Sequence, residues 1–454
     1  MDPAELFEKQ KDYFFSGATR PYAFRAEALR RLKAAILNRE KALTDALYAD
    51  LHKQPCESYM CELGMVLDEI GYHLKHLKGW MRERRVRTPL AQFPAISFVS
   101  PEPRGVVLIA SPWNYPLQLC LEPLVGAISG GNCAVVKPSA QAPATSRAIA
   151  ELIAETFPPE YVSVAECSRA EAGALFDLPW DYIFYTGSTE AAKTILATAA
   201  KHLTPVSLEL GGKSPVIVDE TADLPLAARR IAFGKVLNAG QTCVAPDYLL
   251  IHERARDAFV REYEKALRAF FPDGGYEDMA RIVSARHFER VRALAEDDRA
   301  AIGGETDEAG RFVAPTLLLD VQPDDPVMRQ EIFGPILPVL TFTELKWCVD
   351  FIRARPKPLA LYLFTRSREA ERLVRDGCSF GGGCVNDVIV HLATPYMGFG
   401  GVGASGMGQY HGKKSFETFT HERSILRKSN LLDLPMRYMP YTDGKLKMIR
   451  RFLK

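Results

Sequence analysis

The chain has 454 residues, 47% of them hydrophobic and 25% charged, and a net charge of +1. That length exceeds one ordinary core and predicts two or three domains, while the composition is that of a folded protein. A charge balance this close to neutral excludes a general electrostatic attraction to nucleic acid or to a membrane surface.

Residues 2–83 carry Ala, Leu, Lys and Glu at helical spacing, which predicts a helical lead-in. Residues 84–104 open on Arg84, Arg85 and Arg87 and run through Thr88-Pro89-Leu90 and Ile96-Ser97-Phe98-Val99, reading as an extended arm or hairpin. From Gly105 onward short apolar runs alternate with helical stretches. Strands are predicted at Val106–Ala110, 134–137, 162–165 and 182–185, with helices near 117–129, 145–155 and 189–201. A second series of strands is predicted at Pro215–Val218, 249–251, 361–364 and 383–385. Strands alternating with helices imply βαβ units, so the expected fold is α/β with two Rossmann-like parallel-sheet domains and a boundary near Glu209.

The nine cysteines are odd in number and contain no CxxC pair. A disulfide framework or a metal site is therefore not expected, and reduced thiols in a cytoplasm are. The start Met1-Asp2-Pro3-Ala4-Glu5 has no apolar core of a secretion signal, and no uncharged apolar run approaches the ~18 residues of a membrane span. One thiol has an unusual setting: Cys243 lies in Asn238-Ala239-Gly240-Gln241-Thr242-Cys243, beside a small residue and two polar ones. Inert cysteines sit among apolar neighbours, whereas reactive ones need partial exposure and a polar surround that favours thiolate.

Two textual motifs fail on context. Gly401-Val402-Gly403-Ala404-Ser405-Gly406 matches GxGxxG, but it neither follows a strand nor opens a helix and reads as turn glycines. Gly212-Lys213-Ser214 suggests a phosphate loop, yet Ser207 stands where that pattern requires Gly. Five further runs suit a thiolate. Trp113-Asn114 follows a strand end, where an Asn amide can donate to an oxyanion or simply make a turn. Lys137 ends a buried strand and points into the same crevice, or lies on a surface loop. Gly187-Ser188 joins a strand to a helix start, a ready anion site. Glu209 lies among Leu208, Leu210 and paired glycines, where burial would suit it to general-base work; a solvated loop carboxylate is the alternative. Glu331 and Phe333, in Glu331-Ile332-Phe333-Gly334-Pro335, offer an acceptor and an aromatic face.

Taken in order, these runs resemble the aldehyde dehydrogenase superfamily, and Gly403-Ala404-Ser405-Gly406-Met407-Gly408-Gln409-Tyr410-His411-Gly412 resembles its class 3 branch; the likeness spans residues 13–424. The resemblance implies Cys243 as the nucleophile, Asn114 and the Cys243 N–H as oxyanion donors, and Glu209 as the base that activates water. It implies NAD or NADP as cofactor, with Lys137 at the adenosine ribose, Gly187 and Ser188 near the pyrophosphate, Trp113 along the cleft, Glu331 at the nicotinamide ribose and Phe333 against the ring. The domains would then be a cofactor-binding domain, 1–208, with the arm as an oligomerisation segment favouring a homodimer; a catalytic thiol domain, 209–390; and a bridging segment with a basic tail, 391–454. Relatives that prefer NAD often carry Glu where Ala140 stands, so acceptance of NADP is expected.

The substrate is expected to be a medium or long aliphatic, or aromatic, aldehyde, with Met65, Tyr115, Val388 and Ile389 at an apolar mouth. An acylating enzyme that passes the acyl group to coenzyme A is the alternative, and Glu209 argues against it. A non-catalytic descendant would not need Cys243, Glu209 and Asn114 together. The tail from Gly444 to Lys454 is basic and amphipathic and lacks the hydrophobic anchor of some class 3 relatives; it reads as a terminal helix packed on its own subunit or a partner, with a weak peripheral contact with anionic lipid as the alternative.

Overall fold

The computed structural model describes residues 3–168 and 171–453; the Met1-Asp2 start and Lys454 of the basic tail lie outside them. The lead-in is helical, with long helices at Pro3–Phe15, Tyr22–Asn38, Glu40–Leu51 and Gly64–Trp80. Their apolar faces, including Leu29, Leu32, Leu47 and Ile70, join one buried cluster with Val107, Leu108 and Val135 of the first sheet. The lead-in thus covers one face of that sheet.

That sheet orders its strands as Gly406–Met407, Val206–Glu209, Tyr182–Thr186, Val106–Ala110, Cys133–Lys137 and Val162–Val164. All pairings are parallel except the first, where Gly406 lies opposite Glu209. All five residues of Val106–Ala110 are buried, as expected of a central strand covered on both faces. The second sheet runs Ala300–Ile302, Thr316–Leu318, Ile336–Phe342, Tyr248–His252, Pro215–Val218, Ala360–Phe364 and Gly382–Val385. It too is parallel, apart from Ala300–Ile302 at one edge. The α/β reading with two Rossmann-like parallel sheets therefore holds.

Three strands of the second sheet are absent from the sequence reading. Ile336–Phe342 contains Pro338, which lacks a ladder donor and normally signals an edge. Here residues 336–338 pair with Thr316–Leu318 and residues 339–342 with Tyr248–His252, so the ladder changes sides at the proline.

The arm forms a third sheet. Ala95–Pro103 is its middle strand, paired with Arg84–Val86 on one side and, over nine residues, with Thr420–Lys428 on the other. Leu90, Phe93, Ile96 and Leu426 are exposed on this sheet and its connecting loop. No helix among the described residues is long and apolar enough to cross a membrane.

Candidate active site

A cavity of about 1050 Å³ is lined from both parallel sheets. Eight of the nine residues singled out in the sequence line it: Trp113, Asn114, Gly187, Ser188, Glu209, Cys243, Glu331 and Phe333. Lys137 is not among its lining residues; it ends its strand with Nζ donating to Pro138 O at 3.3 Å.

Cys243 is half-buried and free, as are the other eight cysteines in being unpaired. The chain reaches it through Asn238, Ala239 and Gly240, all with positive φ (50°, 52° and 70°). At Gly240 a Cβ would also lie 2.3 Å from Gly334 O, so a side chain is excluded twice over. The polar neighbours have a different role from the one their presence suggests. Gln241 donates to Asn238 O and Arg281 O, both at 3.0 Å, and accepts from Val283 N–H. Thr242 Oγ1 shares a 2.6 Å hydrogen bond with Tyr115. Gln241 clamps the backbone and Thr242 ties this loop to the Tyr115 side chain, which leaves the thiol to its own surroundings. Burial first, then the Glu331 and Glu209 carboxyls, push its pKa up to about 12, while the N–H groups of Cys243 and Val244 favour the thiolate.

Glu209 is 2% exposed, and neither carboxyl oxygen has a hydrogen-bond partner among the described residues. Burial alone holds its pKa well above the usual carboxylate range. The solvated alternative is thereby excluded, and an orphaned acceptor faces the cavity that also holds Cys243. Asn114 is 3% exposed and its Nδ2 donates to Gln241 O at 3.0 Å. An amide nitrogen carries two hydrogens, so one remains available to a developing oxyanion.

Glu331 has one oxygen without a hydrogen-bond partner among the described residues, and burial followed by the Asp247 charge raises its pKa to about 8. Gly211 permits this position, since a Cβ there would lie 2.3 Å from Glu331 Oε2. Phe333, at φ 49°, meets Trp113 edge to face with centroids 5.3 Å apart. Ser188 caps the helix Thr189–Ala200 by accepting from Ala191 N–H, and Gly187 N–H donates to Glu209 O at 3.0 Å. The two rejected motifs have structural duties. Lys213 pairs with Asp247 and donates to the carbonyls of Val327 and Gln330, while Asp247 accepts from Ile332 N–H; together they pin the Glu331 loop. The 401–406 glycines form a tight turn that sets Gly406 against Glu209.

A second cavity, about 140 Å³, opens on another side of the thiol. Met65, Tyr115 and Ile389 line it as expected, but Val388 is wholly buried, with its side chain against Gly234. The remaining wall includes Met60, Phe233, Leu237, Leu392 and Phe399, which come from separated segments and carry no shared sequence signal. Cys243 belongs to both cavities.

A sequence model of the aldehyde dehydrogenase family matches residues 5–425. The chain belongs to the aldehyde dehydrogenase family. It is similar to 4,4'-diaponeurosporen-aldehyde dehydrogenase of Staphylococcus aureus, at 47% identity over 99% of both chains. Aldehyde dehydrogenase family 3 member B1 of Bos taurus is 43% identical, covering 99% of this chain and 97% of the relative. The substrate-bound state of Staphylococcus aureus AldH superposes with a TM-score of 0.97 at 46% identity, over 99% of each chain. The protein is thus an enzyme that oxidises aldehydes, akin to the class 3 aldehyde dehydrogenases.

Proposed function

We propose that this aldehyde dehydrogenase oxidises medium or long aliphatic, or aromatic, aldehydes to carboxylic acids through a thioester on Cys243, with NAD or NADP as acceptor. The observation that carries this reading is the placement of Cys243 in the wall shared by the large cavity and the smaller apolar one, which this reading takes as the substrate tunnel. The aldehyde chain occupies the tunnel and its carbonyl reaches the sulfur. The Staphylococcus aureus relative, named for 4,4'-diaponeurosporen-aldehyde, supports an apolar substrate.

The sulfur bonds the carbonyl carbon and the carbonyl electrons move to oxygen, giving a thiohemiacetal. Asn114 Nδ2 and the Cys243 N–H donate to that oxyanion; losing one such donor typically costs ~10²–10³ in rate. A hydride acceptor for this carbon is what a bound nicotinamide would supply, chemistry no side chain here provides. The carbon is left as a thioester. Glu209 then takes a proton from water, the hydroxide adds to the carbonyl, and the C–S bond breaks to release acid and thiolate.

The larger cavity suits a dinucleotide. Glu331 would offer its orphaned oxygen to a ribose hydroxyl, Gly187 and Ser188 would lie near the pyrophosphate at a helix start, and Trp113 and Phe333 would lie beside the nicotinamide, while Lys137, outside the lining of this cavity, is assigned to the adenosine ribose by the resemblance alone. The sequence offers Ala140, not a carboxylate, after Lys137-Pro138-Ser139, so a 2′-phosphate meets no repulsion there.

A panel of aldehydes of graded chain length, followed by absorbance of reduced nicotinamide with and without coenzyme A, tests the assignment. Turnover is expected to rise with chain length, to be independent of coenzyme A, and to show specificity constants for NAD and NADP within about tenfold, or ~1.4 kcal/mol. Strict dependence on coenzyme A would establish the acylating alternative, and exclusion of NADP by several orders of magnitude would overturn the Ala140 argument.

The arm favours a homodimer, because its exposed Leu90, Phe93, Ile96 and Leu426 form apolar surface beside open strand edges. Free cysteines fit a cytoplasmic setting. The tail helix Asp443–Phe452 leaves Leu446 and Met448 half exposed among Lys445, Lys447, Arg450 and Arg451, which suits a weak contact with an anionic membrane surface. The full chain should float with anionic vesicles and a chain ending at Tyr441 should not; equal behaviour of the two removes the tail from membrane contact.

A further inference from the structure

Two ionisable side chains outside both cavities are completely buried: Lys53 and Glu62, with Nζ and Oε1 2.5 Å apart and both side chains 0% exposed. Burying two charges costs more than their attraction returns unless further hydrogen bonds satisfy them. All of those further bonds go to one loop. Lys53 Nζ donates to Asn114 O at 2.8 Å and stands 4.0 Å from the centre of the Tyr115 ring. Glu62 Oε2 accepts from Leu117 N–H at 2.8 Å and Gln118 N–H at 3.1 Å.

The loop so held is the one that carries Asn114 beside Cys243. Asn114 O also accepts from Asn238 Nδ2 at 2.7 Å, and that same amide donates to Gln241 O, the acceptor of the Asn114 side chain. Main chain and side chain of Asn114 are therefore both fixed, one by the ammonium and one by the loop that leads to the thiol. Glu62 reaches inward from a π-helical turn, Tyr59–Leu63, whose Met60 and Cys61 line the substrate tunnel. Such turns inside helices are commonly found at functional sites.

We propose that Lys53 and Glu62 are a positioning pair for the oxyanion donor: the lead-in helices, far from the cysteine in sequence, aim the Asn114 amide at the substrate oxygen through two main-chain grips. The pair touches neither substrate nor cofactor, and its effect passes through Asn114. This inference rests on the reading of Asn114 as an oxyanion donor.

The test is a double-mutant cycle between this pair and Asn114, using Lys53→Met, the charge-free Lys53→Met/Glu62→Gln, Asn114→Ala and their combinations. Rates are normalised to dinucleotide sites counted by fluorescence titration, so that any unfolded fraction is removed from the comparison. In the wild-type background kcat should fall about tenfold or more with dinucleotide affinity within twofold, a part of what losing an oxyanion donor costs. In the Asn114→Ala background the same changes should lower kcat by less than twofold. A structural role would multiply the two losses, and that outcome, or unchanged kcat in the charge-free variant, overturns the proposal. Should Lys53→Met bind no dinucleotide, the charge-free variant, which leaves no uncompensated buried charge, carries the comparison alone. Wild-type kcat in Asn114→Ala alone would instead overturn the underlying reading of Asn114.

Discussion

Replacing Cys243 by alanine removes aldehyde turnover, a loss on the order of 10⁴-fold or more, while dinucleotide binding persists. The sulfur is one atom in the wall between the two cavities, and the groups assigned to the cofactor stand on other segments: Ser188 on a helix start, Glu331 and Phe333 on the loop pinned by Lys213 and Asp247. Its removal deletes the nucleophile without disturbing them. The clamps through Gln241 and Thr242 keep the local backbone in place as well. Turnover of the alanine variant within tenfold of wild type, measured as reduced nicotinamide per bound site, would remove Cys243 from the mechanism.

Replacing Glu209 by glutamine separates the two halves of the reaction. The first half needs only the thiol and the oxyanion donors, so a burst of reduced nicotinamide close to one per site is expected. The second half loses its base, a contribution of typically ~10²–10⁴-fold, and steady turnover falls by that factor. The pH dependence follows from the same group. Burial raises the pKa of Glu209, so its carboxyl stays protonated further up the pH scale than an exposed one and cannot accept a proton from water there. Turnover limited by thioester hydrolysis therefore climbs as pH rises through that raised pKa, and the limb disappears in the glutamine variant. The thiol acts in the same direction on the burst, since its pKa is also raised and the thiolate is the reactive form. A steady-state rate that falls with rising pH between 6 and 9 would contradict both assignments.

What the sequence made legible divides by the distance over which the signal acts. The strand Val106–Ala110 and the helix Thr189–Ala200 follow from local apolar runs and helical spacing, and the motifs sit at strand ends because ligands gather there in parallel sheets. The pairings that complete the sheets are non-local and were not legible. Nothing in residues 420–428 announces a nine-residue register with residues 95–103, and nothing in Gly406 announces Glu209 as its partner.

The site divides in the same way. Cys243, Glu209 and Asn114 could be singled out by residue type and neighbours, but Gln241 and Thr242 misled, because polarity next to a thiol says nothing about where the polar atoms point. Lys53 and Glu62 read as ordinary members of an amphipathic lead-in. Their burial depends on a π-helical turn and on a loop about 50 residues further along. Lys235 is similar: it is 1% exposed, and burial pushes its pKa down to about 7 beside Asp247, yet its sequence context is that of a helix-surface lysine.

The proposed mechanism rests on a covalent thioester on Cys243 that water releases with the help of Glu209. Intact mass of the Glu209→Gln protein, quenched in acid within seconds of mixing with aldehyde and dinucleotide, tests it most directly. An increase equal to one acyl group, located by peptide mapping on Cys243, is the predicted result. An unmodified protein after a full burst, or an acyl group on Cys61, the other thiol of the tunnel, would contradict the account.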